Sequence, residues 1–172
     1  MEELVFLALG LPLLTGGATM AVRNNVVVKT LNVAGSLLTG SVLLWIVAKV
    51  AAGGLLATKW MYVDALSALL LVVVALLGMS ATLVSISYVD RELAEERIKP
   101  VAYRRYYALL QFFIFTMISV LVVENLGLMW VGVEATTLVS TLLVAFYFNR
   151  SALEAAWKYV MVCNVGILFA LL

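Results

Sequence analysis

Glu134 is the residue whose placement most demands a chemical explanation, because it stands about ten residues into an apolar run over about 125–147. An ionised carboxylate at that depth of a bilayer-spanning helix costs at least about 2.5 kcal/mol. At 3.6 residues per turn, Gly127, Trp130, Glu134, Thr137 and Thr141 fall within roughly 80° of one face, so the carboxylate shares a stripe with two hydroxyls. Such a stripe faces protein or water. Two kinds of chemistry fit it. As a proton site, Glu134 is neutral when desolvation dominates and ionised when a cation approaches, and the hydroxyls orient water or stabilise the carboxylate. As glue, it stays protonated and hydrogen-bonds a neighbouring helix.

Lys158 is the second charge inside a span, four residues in from the end of the last apolar run and four after Glu154. It is a possible relay neighbour of Glu134, or else it snorkels to the interface or pairs with Glu154. Asn164 lies deeper in the same run and is placed to hydrogen-bond between helices. Asp64, before another apolar run, reads as an interfacial or capping residue, and Cys163 as a small packing residue.

The elements that must position these groups are membrane helices. Of 172 residues, 65% are hydrophobic and 12% charged, against about 45–50% and about 25% in soluble domains. Six apolar runs, over about 4–22, 30–51, 63–88, 106–123, 125–147 and 155–172, each approach the roughly 20 residues a spanning helix needs. The predicted fold class is therefore all-α, a polytopic transmembrane bundle of about six spans in a single domain over 1–172. Gly10, Pro12, Gly16 and Gly17 make the first span loose, and the third is long enough to tilt or protrude.

A net charge of +1 removes the basic excess that nucleic-acid binding needs. With no His and one Cys, the chain offers no His-ligated haem, cysteine-held cluster, CxxC pair or disulfide, and no metal or other cofactor is expected on it. Glu2 and Glu3 stand where a secretory signal would be positive, so the first span is expected to be retained.

The sizeable polar segment runs from Asp90 to Lys99 and is closed by Pro100. It reads as a solvated loop, with Arg91/Glu95 and Glu95/Lys99 spaced to support a short surface helix; a docking surface for a soluble partner is the alternative. Arg23, Lys29, Arg91, Arg97, Lys99, Arg104, Arg105 and Arg150 fall on one side of the expected bundle, and only Lys49 and Lys59 on the other. The first side is predicted to be cytoplasmic and the N-terminus outside. Trp60 and Tyr62 at one boundary, and Tyr103, Tyr106, Tyr147 and Trp157 at the other, fit interfacial aromatic belts.

The stretch Glu124-Asn125-Leu126-Gly127-Leu128-Met129-Trp130-Val131-Gly132-Val133-Glu134, continuing Ala135-Thr136-Thr137-Leu138-Val139-Ser140, resembles the fifth helix of the antiporter-like proton-translocating subunits. That family is shared by respiratory complex I, membrane-bound hydrogenases and multisubunit cation/proton antiporters. Val63-Asp64-Ala65-Leu66-Ser67 resembles the Asp-Gly-Leu-Ser entry to its third helix, with Ala65 for the usual Gly. Ser85-Ile86-Ser87-Tyr88 resembles that helix's exit, with Val84 where a Tyr is usual, and Glu154-Ala155-Ala156-Trp157-Lys158-Tyr159 the start of the sixth. The resemblance covers roughly 60–172, and the wording of 124–159 is most similar to the hydrogenase-4 or formate hydrogenlyase membrane subunit.

The resemblance implies the N-terminal portion of a proton- or sodium-translocating membrane-arm subunit in a hydrogenase or NADH–quinone type assembly. Glu134 would be its proton relay and Lys158 a possible neighbour, with Thr137, Thr141 and Asn164 as supporting polar groups. The implied partners are other membrane subunits and lipid, in a prokaryotic cytoplasmic membrane, with redox chemistry carried elsewhere. Family members have many more helices, with further lysines on later ones, so the chain is expected to be a fragment or one piece of a split subunit. A multisubunit antiporter without a redox partner and a structural scaffold are the rival readings. The topology is testable with single cysteines at Glu96 and Lys59 in a Cys163-free background: an impermeant reagent on intact cells should label position 59 and spare 96, and the reverse pattern would invert the orientation.

Overall fold

The computed structural model describes residues 2–53, 56–57 and 60–171. They form α1 (Glu2–Ala21), α2 (Asn25–Ala51), β1 (Leu56–Ala57), β2 (Tyr62–Val63), α3 (Ala65–Ala94), α4 (Pro100–Val122), α5 (Leu126–Val144) and α6 (Arg150–Leu171). All six helices are long and apolar enough to cross a membrane, and the chain is an integral, multi-pass membrane protein. Strands β1 and β2 are a two-residue antiparallel ladder, Leu56 opposite Val63 and Ala57 opposite Tyr62, in the connection between α2 and α3. Lys59, used above to weigh the two sides, and the last residue of the expected sixth span lie outside the described residues.

Three helices begin earlier than their apolar runs. Helix α2 starts at Asn25 because the Asn24 side chain accepts the Val26 N–H at 3.0 Å. Helix α6 starts at Arg150, where Asn149 Oδ1 accepts the Ala152 N–H at 2.7 Å. Helix α4 starts at Pro100, whose fixed φ and missing N–H suit the first helical position. Its polar Tyr103-Arg104-Arg105-Tyr106 run, expected outside the span, is therefore helical, and Tyr103 and Tyr107 are buried.

The Asp90–Lys99 segment is not a separate loop helix. Its first half extends α3 to Ala94, and a turn with Glu96 at φ 54° brings the chain round to Pro100. The expected Arg91/Glu95 and Glu95/Lys99 pairs do not form among the described residues. The turn carries Arg97 back instead, to Glu95 at 2.8 Å and Glu92 at 3.6 Å. Helix α3 thus has 30 residues, about 45 Å at 1.5 Å per residue, and outruns a hydrocarbon core of about 30 Å.

The described core lies among α1, α2, α3 and α4. Val5 of α1, Leu43 and Ile46 of α2, Leu71 and Val74 of α3, and Ile114 and Ile118 of α4 make one apolar cluster. A second, of Val28, Val89, Ile98, Tyr103, Tyr107 and Phe146, closes the cation-rich end. Half of the apolar window of α4 is buried but only 6% of those of α5 and α6. The two ends are fixed by contacts between connections. Met61 bridges Val123 and the Glu124 N–H reaches Trp60 O at 3.3 Å at one end. At the other, Arg104 donates to Val22 O at 3.4 Å and Arg105 sits over the Phe148 ring.

Close approach of α2 to its neighbours depends on two glycines, in keeping with small residues at membrane helix interfaces. A Cβ on Gly35 would lie 2.5 Å from Thr15 Cγ2 and 3.1 Å from Thr15 Cβ, atoms held close to the α1 backbone. A Cβ on Gly40 would meet Met79 Sδ at 2.6 Å, on a flexible side chain that can swing aside. Gly35→Ala is therefore expected to destabilise the detergent-solubilised chain by about 1–3 kcal/mol. Gly40→Ala should be near neutral, since Ala recovers up to about 1 kcal/mol of helix propensity. Equal losses in unfolding titrations would show that the two contacts do not differ in this way.

Candidate functional site

Helix α5 is launched by Asn125, whose Oδ1 accepts the N–H groups of Gly127 at 2.9 Å and Leu128 at 3.2 Å. Gly132 sets its approach to α4, since a Cβ there would lie 2.9 Å from Val120 Cγ2. Glu134, two residues on, is roughly 160° round the helix from that contact and points away from α4. It is half-buried, and among the described residues it makes no hydrogen bond or ion pair. Thr137 is the buried residue of α5. With Val133 and Thr136 it faces Leu70, Val73 and Met117 across a largely apolar cavity of about 310 Å³ between α3, α4 and α5, which Glu134 does not line.

The hydroxyls beside Glu134 spend their protons on their own helix. Thr137 Oγ1 donates to Val133 O at 3.1 Å and Thr141 Oγ1 to Thr137 O at 2.7 Å. Their oxygens keep lone pairs, so in this arrangement they accept hydrogen bonds from water or a protonated carboxyl and do not donate to a carboxylate. Lys158 Nζ is bound to Glu154 Oε1 at 2.6 Å, with both side chains well exposed. The two are four residues apart on one face of α6, so the pair is local to that helix.

Between α5 and α6 the Ser140 and Tyr159 hydroxyls hydrogen-bond at 3.0 Å. The interhelical bond expected of Asn164 does not form among the described residues. Its buried Oδ1 has no partner there, and neither has the buried indole Nε1 of Trp130. Cys163 is a half-buried free thiol, and no group of three or more His, Cys, Asp or Glu among the described residues could hold a metal ion.

Two polar networks lie outside the sequence-derived residues. In the core, Asn32 Nδ2 donates to Thr19 Oγ1 and Val28 O, both at 2.8 Å, and Gln111 Nε2 donates to Asn32 O at 3.2 Å, which joins α1, α2 and α4. Gln111 carried a readable signal, an amide between Leu110 and Phe112. At the cation-rich end Asp90 accepts from Lys29 Nζ at 2.6 Å and Tyr103 OH at 2.9 Å. Ser85 and Tyr106 pair at 2.7 Å, and Tyr88 pairs with Tyr147. Burial pushes the Tyr147 hydroxyl well above its ordinary pKa, and the Tyr88 hydrogen bond adds to the effect. Glu92, placed by sequence in a solvated loop, is buried at the end of α3 with Oε2 unpartnered.

No family model matches the chain. It is 35% identical over 109 residues to the hydrogenase-4 component F homolog of Methylacidiphilum infernorum, a match covering 63% of this chain and 23% of that protein. It is 32% identical over 115 residues to NADH-quinone oxidoreductase subunit L of Neisseria meningitidis serogroup A, covering 66% and 16%. Its fold matches part of the membrane-bound sulfane sulfur reductase, an archaeal respiratory membrane complex, with a TM-score of 0.81 over 97% of this chain and 35% of that one. Sequence identity there is 20%, so that likeness is one of fold. Over the matched stretch the chain is an antiporter-like membrane subunit sequence of the complex I family. The antiporter-like chain spans less than a quarter of the length of the curated relatives it matches.

Asp64, in the stretch that carries part of the resemblance, caps α3 of the antiporter-like chain by accepting the Ser67 N–H at 2.7 Å. The Ser67 backbone N–H, followed by its side chain, holds the Asp64 carboxyl below the ordinary aspartate value. A folded pKa below the unfolded one contributes stability that is complete above about pH 4 and is lost as the pH falls through the folded value. Asp64→Ala should therefore lower the melting temperature at neutral pH, and the gap to wild type should close on acidification. A gap that persists or widens in acid would contradict the cap's charge dependence.

Proposed function

We propose that the chain is the ion-translocating part of a membrane-arm subunit in an energy-converting oxidoreductase assembly of the hydrogenase or NADH–quinone type, with Glu134 as its proton-relay carboxylate. The observation that carries the reading is the state of Glu134: half-buried, mid-span, without a partner among the described residues, beside hydroxyls that offer only acceptor lone pairs. An ionised carboxylate there lacks donors and a cation, and costs at least about 2.5 kcal/mol in hydrocarbon. The neutral acid can donate to a neighbouring oxygen. Approach of a cation therefore favours release of the proton, and its withdrawal favours uptake, which couples movement of a charged group to proton transfer.

Lys158 is a candidate for that cation because it is a basic side chain within α6, the helix that packs beside α5. Thr137, Thr141 and Asn164 are supporting polar groups that accept hydrogen bonds from water or from the acid. The cation-rich end faces the cytoplasm and the N-terminus the opposite side of a prokaryotic cytoplasmic membrane. Electron transfer and its cofactors belong to partner subunits.

In the assembled complex, Glu134→Gln should preserve assembly on native gels but strongly reduce proton uptake into reconstituted vesicles and the donor oxidation coupled to it. Glu134→Asp should retain part of both. A Gln variant that assembles and pumps at the wild-type rate and stoichiometry would make Glu134 interhelical glue. Proton movement that proceeds without donor oxidation would favour an antiporter without a redox partner.

A further inference from the structure

The cation-rich end holds a recess of about 360 Å³ that the translocation reading does not use. One wall is basic: Arg97 and Lys99 from the turn between α3 and α4, and Arg105 from α4. The other is aromatic: Phe146, Tyr147 and Phe148 from the turn between α5 and α6. We propose that this recess binds the phosphate headgroup of an anionic phospholipid.

Two of the three basic charges are uncompensated. Arg97 is engaged by Glu95 and Glu92, but Lys99 and Arg105 have no anionic partner among the described residues. Arg105 instead lies 5.3 Å from the centroid of the Phe148 ring, a contact that holds the guanidinium without neutralising it. The first turn of α4 adds to the same field. Lys99 is its N-cap and supplies no side-chain cap hydrogen bond, so the N–H groups of Val101 and Ala102, which border the recess, remain available to an anion.

Position selects lipid over a soluble anion. The recess lies where four spans end, at the depth where aromatic residues and headgroups meet, and basic pockets between membrane helices are suited to acidic headgroups. The exposed apolar faces of Val101 and Phe148 give the first acyl methylenes a surface, which inorganic phosphate cannot use.

The test measures retention of phosphatidylglycerol against phosphatidylcholine by native mass spectrometry, on the protein in its assembled complex after extraction from nanodiscs of defined composition. Wild type should prefer phosphatidylglycerol, and Lys99→Gln with Arg105→Gln should reduce that preference roughly tenfold or more. Lys99→Arg with Arg105→Lys should keep the preference, as should Lys49→Gln at the opposite end. The proposal is overturned if wild type shows no preference, if the Gln pair retains it, or if the charge-keeping pair or Lys49→Gln loses it to the same extent. Inorganic phosphate that displaces the lipid at millimolar concentration would also overturn it, because the site would then be one for a free anion.

Discussion

The constraint on which everything else in this molecule depends is that hydrocarbon supplies no hydrogen bonds. Backbone groups meet it by being helical, and side-chain hydroxyls meet it by donating to their own helix, as Thr19, Thr82, Ser85, Thr136, Thr137 and Thr141 all do. Groups with more hydrogen-bonding capacity than one helix can absorb must then find neighbours. The Asn32 amide does so through Thr19, the Gln111 amide through the Asn32 backbone carbonyl, and Asp90 through Lys29 and Tyr103. Most of the side-chain hydrogen bonds between helices therefore fall where the packing is closest, in α1 to α4, with Ser140 and Tyr159 joining α5 to α6.

Unmet capacity remains in this core as well as in α5 and α6: Asn32 Oδ1, Thr39 Oγ1, Glu92 Oε2, Tyr107 OH and Gln111 Oε1 in α2 to α4 have no partner among the described residues. Glu134 and Trp130 on α5 and Asn164 on α6 lie on the two helices with the least burial. A mid-span polar group without a partner is costly on a helix of any sequence. What distinguishes α5 is a carboxyl at mid-span, and the resemblance to an ion-translocating family rests most heavily on this same region.

The reach of sequence reading follows from what each signal measures. Six spans were legible because apolar length is a direct property of the chain. Helix starts were not, because Asn24, Asn149 and Pro100 set them by capping geometry, while apolar runs begin only where side chains meet hydrocarbon. Glu134 stood out as a charge within an apolar run. Asn32 and Gln111 did not stand out as Asn164 did, although each is an amide in an apolar run and faces the same shortage of partners. Glu92 was misread because a run of alternating charges implies solvent, whereas its place on the last turn of α3 turns it inward. Pairing by spacing succeeded for Glu154 and Lys158 inside a continuous helix and failed for Glu95 and Lys99, where the left-handed turn at Glu96 breaks the period.

The magnitudes fix what a relay through Glu134 requires. An unpaired carboxylate at mid-span costs at least about 2.5 kcal/mol, and Lys158 stands paired with Glu154 at 2.6 Å. A cation serving such a relay would therefore have to exchange one carboxylate for the other. The limiting factor is access: a long basic side chain must be carried to a half-buried position whose neighbouring hydroxyls cannot themselves donate. In such a relay, the element that delivers or withholds the cation would set whether Glu134 keeps its proton.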